Sequence, residues 1–170
     1  MPRNWGLGTK GDWLMAGKCG TCTACCRVFA IPELDKPAGK WCQHCDIGVG
    51  CKIYENRPER CIDFKCMWLL SFEHIKGGWS VEQRPDKCKV VFAPTTNPHI
   101  IAGTTFPGTL DAWHKGEARK IIDNLLKAGV RVVIGPPNST TKIMVDQYGE
   151  HEVKMTEPDA NGMQWNIKGG

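Results

Sequence analysis

No stretch of this sequence approaches the roughly 18 consecutive apolar residues of a membrane-spanning helix, so no such helix is expected. The opening MPRNWGLGTKGDWLMAGK has basic residues but no continuous apolar segment, and it does not read as a secretory leader. Nowhere do about five Lys or Arg residues follow one another, so no basic run concentrates a field for nucleic acid. Internal repeats and low-complexity tracts are absent too, and a repeat architecture is not expected.

The familiar enzyme motifs are missing as well. His151-Glu152 starts like a zincin helix, but the second His would fall at 155, which is Met. Gly6 to Gly11 spells G-x-G-x-x-G, yet it follows no strand and opens no helix, and a simple arm is the better reading. Gly11 to Gly17-Lys18 has the wrong spacing for a P-loop and lacks the following Ser or Thr. The radical-SAM spacing C-x3-C-x2-C would need a cysteine at 29, which is Phe. No Ser/His/Asp arrangement can be picked out from spacing, and the reading leans away from an enzyme.

What the chain does have is cysteine. Ten of its 170 residues are Cys, in a composition otherwise ordinary for a globular protein at 41% hydrophobic and 24% charged. Nine lie between Cys19 and Cys66, and only Cys88 lies outside. Without a secretion signal, a reducing, cytoplasmic compartment is expected, where clustered cysteines serve metals more often than disulfides. The formal charge of +4 counts every cysteine as neutral. Ligands bind as thiolates, and four of them around a [4Fe–4S]2+ core leave a net charge of about −2, so the loaded protein is nearly neutral.

Four zones divide the chain. Residues 1–18, rich in Gly and Trp, read as an N-terminal arm. Residues 19–75 read as a cysteine-cluster metal-binding region whose Gly and Pro content is that of loops folded around something other than a hydrophobic core. A single helix is expected after Asn56, with Pro58 in its first turn, through RPERCIDFKCMWLLSF. Residues 88–156 read as a small α+β region. CKVVFAP, HIIAGTTF and VRVVIG are strands, and TKIMVDQYGEHEVKM is a hairpin turning near Tyr148-Gly149. Ala118, Ile121, Ile122, Leu125 and Leu126 recur with helical spacing, and Gly129 suits the C′ position. The implied order is β-β-α-β-β-β, a mostly antiparallel sheet with one amphipathic helix. Residues 157–170 read as a tail in which Trp165 could dock.

Cys19, Cys22 and Cys25 form C-x2-C-x2-C, the spacing that brings three thiolates onto one cubane in bacterial ferredoxins. The ferredoxin fourth cysteine would fall at Phe29, so any fourth ligand comes from elsewhere. Cys25 and Cys26 are adjacent, and a division of labour suits them: one thiolate faces each of two sites, or one faces a site and the other packs. Cys42-x2-Cys45, Cys51, Cys61 and Cys66 complete the set. The pairs 19/22 and 42/45 also have a zinc-ribbon look, so spacing alone permits zinc or iron–sulfur. His44 inside the second pair is a weaker candidate ligand, and Cys88 reads as a buried free thiol opening a strand.

The run C-G-T-C-T-A-C-C-R followed by C-K-I-Y-E-N-R-P-E-R-C-I-D-F-K-C resembles the C-x-x-C-x-x-C-C cysteine-cluster family, described as zinc- or iron-chelating domains. Cys19, Cys22, Cys25, Cys26, Cys51, Cys61 and Cys66 match its pattern, as do Ile53, Tyr54, Arg57, Pro58 and Phe64. Cys42 best matches the family's middle cysteine, and Cys45 is extra. The resemblance covers residues 19–66, with a shorter insertion than in many relatives. It implies a [4Fe–4S] cluster as first choice, with Zn2+ as the alternative or an addition. Arg57 is then a candidate to donate to cluster sulfurs, against the simpler reading of an Arg held by Glu55 or Glu59. Tyr54 and Phe64 are candidates to cover the site.

Three functions compete at this level. The first is a metal-binding structural or interaction component of a larger assembly of protein subunits, for which a virion or other particle is a fitting setting. The second is redox or electron transfer by an iron–sulfur protein serving a partner enzyme. The third, zinc-dependent nucleic-acid binding, is disfavoured by the missing basic stripe.

Overall fold

Side-chain alternation along one strand decides how the molecule is layered. The computed structural model describes residues 19–155 and 167–168; the expected arm at 1–18, with its glycine motifs, and most of the expected tail, Trp165 included, lie outside them. In Val90–Pro94 (β3), Val90 and Phe92 face one way and Val91 the other, and all three are buried. A strand buried on both faces must be covered on both faces.

β3 pairs antiparallel with Ile100–Thr105 (β4), and β4 pairs parallel with Arg131–Gly135 (β5). Thr141–Asp146 (β6) and Gly149–Met155 (β7) form the expected hairpin, antiparallel to each other and to β5. A two-residue strand, Ile167–Lys168 (β8), pairs with the end of β7. The six strands lie in chain order. The protein is thus α+β with the expected β-β-α-β-β-β order and a sheet antiparallel at every step but one. The parallel step is bridged by the helix Gly116–Lys127, as a parallel pair requires a crossover.

That helix lays Ala118, Ile121 and Ile122 against Val90, Phe92, Ile101, Val132, Ile134 and Val145. Leu125 and Leu126 pack at the margin of the same cluster. It ends at Gly129, whose φ of +77° is easy for glycine and lets its N–H reach the Leu126 carbonyl at 3.0 Å. The opposite face carries a second small cluster of Ile100, Val133 and Met144.

Beside it lies Lys142, only 5% exposed, with its Nζ donating to the Pro136 carbonyl. A side chain at Gly135 would place its Cβ 2.6 Å from the Lys142 Cδ, so glycine there makes room for the lysine stem. Burial holds the Lys142 ammonium down to about 8. The unfolded chain keeps its proton to about pH 10.4, so folding carries the full penalty below pH 8 and sheds it between pH 8 and 10. Lys142→Met is expected to flatten this rise in denaturant stability between pH 7 and 10. Parallel pH profiles for the variant and wild type would show that the burial penalty lies elsewhere.

The cysteine-rich region packs on the sheet through the Val91 face of β3. The short helix Ala24–Val28 (α1) turns Ala24 and Val28 inward, and they meet Cys66, Trp68 and Val91 in one buried cluster. Asn138 in the β5–β6 turn donates to the Ala38 carbonyl at 3.1 Å, a second tie between the two regions.

The single helix expected after Asn56 is two helices. Glu59–Asp63 (α2) begins after Pro58, and Met67–His74 (α3) begins after Cys66. Phe64 and Cys66 between them have extended backbone, with ψ of 122° and 164°. In one continuous helix Cys61 and Cys66 would point about 140° apart. The break removes that constraint. Cys88 also differs: it closes the short helix Pro85–Cys88 (α4) rather than opening a strand, and it is buried as a free thiol. Helix Gly116–Lys127 is α5 in this numbering.

Candidate metal centre

The first cysteine pair is set by a tight turn in which the Cys22 N–H donates to the Cys19 carbonyl at 2.8 Å. α1 follows at once and carries Cys25 and Cys26, the two exits from a helix whose Ala24 and Val28 are already committed to the core. The Cys42 N–H reaches back to the Cys26 carbonyl at 3.0 Å, and the Cys45 N–H donates to the Cys42 carbonyl at 3.0 Å. Cys45–Asp46 (β1) and Gly50–Cys51 (β2) form a small hairpin that sets Cys45 opposite Cys51. Gly48 in its turn has a φ of +74°, and its N–H donates to the Thr23 Oγ1 at 3.2 Å. The hairpin is thereby tied to the segment that leads into α1.

These segments surround one cleft of about 200 Å3. Cys19, Cys22, Cys25, Cys26, Cys42, Cys51, Cys61 and Cys66 all line it. Cys45 and Cys88 do not line it, nor does His44. All ten cysteines are free thiols. A packed interior rarely leaves a void larger than a water molecule, whose share of liquid is about 30 Å3. Among the described residues, no three His, Cys, Asp or Glu side chains are drawn into a ready-made ion site. The thiols stand around a cavity. The donor set is soft sulfur, which fits iron–sulfur clusters and zinc and suits magnesium or calcium poorly.

Cys26 is the electrostatic centre. The neighbouring Cys25 thiol, then the Cys45 thiol and the Lys36 ammonium, favour its thiolate against the effect of burial, and its own thiol is pulled down to about 6. Cys25 is pushed well up, chiefly by its neighbour Cys26 and then by burial. Burial pushes Cys22 up to about 12, and Cys45 up to about 12 with the Cys26 charge adding to it. Cys19, Cys61 and Cys66 are also raised, each mainly by burial. Ligation by a metal replaces these protons, so metal affinity weakens toward low pH.

Arg57 lies at the cleft, where its guanidinium stacks 3.8 Å from the Tyr54 ring centroid and donates to the Tyr54 carbonyl at 2.7 Å. It favours the thiolate of Cys19. Phe64 packs on Phe29 with ring centroids 4.7 Å apart, and both rings line the cleft.

Sequence reasoning missed Lys36. Its side chain is 5% exposed, and its Nζ donates to the carbonyls of Arg27, at 3.2 Å, and Phe29. Burial lowers its affinity for a proton, while Cys26, Cys42 and Cys25 raise it. Nothing in the sequence separates Lys36 from Lys40 or Lys52. In the fold, Lys36 is bridged to Ile31 and its Nζ is held by the Arg27 and Phe29 carbonyls.

The fold and cleft define a class: an α+β protein with a thiol-lined cavity packed against one edge of its sheet. Comparison with family models, curated proteins and solved structures gives no match.

Proposed function

We propose that this is a metal-binding cysteine-cluster protein of the kind its C-x-x-C-x-x-C-C run resembles, in which the cleft thiols hold a [4Fe–4S] cluster or zinc. The observation that carries the reading is the convergence of eight free thiols, from five separate segments, on one cleft. A bound cluster or ion supplies cross-linking energy to its region and, if iron, a reversible electron. The residues of this chain supply soft donors and the cations Arg57 and Lys36 beside them.

The role it supports best is a structural or interaction component among other protein subunits. Ile47, Val49, Tyr54 and Ile62, all on the cysteine-rich region, are between 42% and 63% exposed. Large apolar side chains gathered on one small region suit a contact surface. A redox role is the runner-up, favoured by the placement of Arg57 and Lys36, since local charge and hydrogen bonding tune cluster potentials.

Metal analysis and the visible spectrum after anaerobic purification test the reading. Iron with acid-labile sulfide, or stoichiometric zinc, is the expected result, and a metal-free chain with paired cysteines would overturn it. Lys36→Met, which removes the buried cation but keeps its stem, is expected to weaken metal retention against a chelator by about 10-fold or more. Retention equal to wild type would remove Lys36 from the site.

A further inference from the structure

A second cavity, of about 430 Å3, lies on the other side of α3 from the thiol cleft. Trp68 and Leu69 of α3 line the cleft, whereas Met67, Leu70, Ser71 and His74 line this groove. Their spacing of i, i+3, i+4 and i+7 is one stripe of a helix. Ile121 and Leu125 of α5 line it from the facing side. Packed interiors rarely leave a void larger than a water molecule, so a groove of this size between two helices calls for an occupant.

The chemistry of the groove asks for an apolar one. Ser71, at 4% exposure, has its hydroxyl already engaged: it donates to the Trp68 carbonyl at 2.6 Å and accepts from the Trp79 N–H at 2.8 Å. Met67, Trp79 and Leu125 are only partly buried, and Ile75 at the rim is 49% exposed. Covering such surface removes apolar area from water, which is favourable. The first described residues of the chain emerge beside this surface. The Arg84 Nη2 donates to the Thr21 Oγ1 at 3.1 Å, and Gln83, next to Arg84, lines the groove. Before them in the sequence stands Trp13-Leu14-Met15, the one run of three large apolar residues ahead of Cys19. Met15 is four residues from Cys19 and Trp13 is six, spans of up to about 14 and 21 Å in extended chain. The chain between β7 and β8 is held instead at the sheet edge opposite β3, whereas α3 packs on β3 through Trp68 and Val91.

We propose that Trp13, Leu14 and Met15 dock into the groove between α3 and α5 of their own chain. The docked segment bears on α3 from the side away from the thiols. It thereby braces the helix that follows Cys66 and presents Trp68 and Leu69 to the cleft. This docking needs no metal and goes beyond the metal-binding reading above.

The test places a photo-cross-linker in the full chain by the substitution Trp13→p-benzoylphenylalanine, which keeps an aromatic side chain at that position. After irradiation, the cross-linked peptides are read by mass spectrometry from the monomeric and dimeric bands separately. Links from position 13 to residues 67–75 or 121–125 within the monomeric band are expected. Adding Ile75→Lys, a change at the exposed rim that the fold tolerates, is expected to abolish those links. Links found only in the dimeric band overturn the proposal and give the groove to a second copy. Links to the thiol cleft alone, or to neither helix, also overturn it and leave the groove to another partner. Links that persist undiminished with Ile75→Lys overturn it as well, because contact that ignores the groove rim is not docking there.

Discussion

Stripped of metal, the protein is expected to become protease-sensitive between residues 19 and 66 while the sheet region from Val90 to Lys154 stays resistant. The apolar support of the first region is thin. Among its residues up to Asp63, the buried apolar side chains are Ala24, Val28, Ile31 and Cys42. Fully burying a Val or Ile contributes about 1.5–3 kcal/mol, whereas ordering each backbone residue costs about 1–2 kcal/mol. Structural zinc in small domains supplies about 10–16 kcal/mol, enough to decide the balance. The sheet stands on its own core of Val90, Phe92, Ile101, Val132, Ile134 and Val145 closed by α5. Limited proteolysis before and after chelation, with the cut sites read by mass spectrometry, measures this. Unchanged resistance across 19–66 in a verified metal-free sample would sink the idea that metal organises the region.

Trp68→Ala is expected to cost about 3–5 kcal/mol of unfolding free energy, the range for emptying a buried aromatic site. Trp68 is 6% exposed and sits where the cysteine-rich region meets β3. Its ring meets Phe72 edge-on at 4.8 Å, and its Nε1–H donates to the Ser80 carbonyl at 3.1 Å. The ring also lines the thiol cleft. Metal retention should therefore fall together with stability. Trp68→Phe keeps most of the packing and loses the hydrogen bond, a smaller cost of order 1 kcal/mol beyond the lost volume. Denaturant curves on metal-loaded protein separate the two variants. A Trp68→Ala loss below about 1 kcal/mol would mean that the two regions do not depend on this contact.

How much of this was legible beforehand depends on the range of each interaction. The strands and α5 could be read because alternation and the helical period are local, and Gly129 marked a helix end for a local steric reason. The cysteine candidates were legible from spacing, and eight of the nine do line one cleft. The expected single helix over 57–72 is broken in two, although nothing in its local composition forbids one helix. The break at Phe64–Cys66 coincides with Phe64 packing on Phe29, a residue 35 positions earlier that no window contains. Lys36 was invisible for the same reason.

The order of elements after Val90, the face of α5 that turns inward and the gathering of thiols in one segment are each written in neighbouring residues. That β4 and β5 run parallel, that Cys45 stands outside the cleft, that Lys36 is buried near Cys26, and that the cysteine-rich region leans on Val91 come from long-range packing. These depend on pairings between distant parts of the chain, and a backbone that satisfies its own hydrogen bonds locally leaves such pairings open until the core closes.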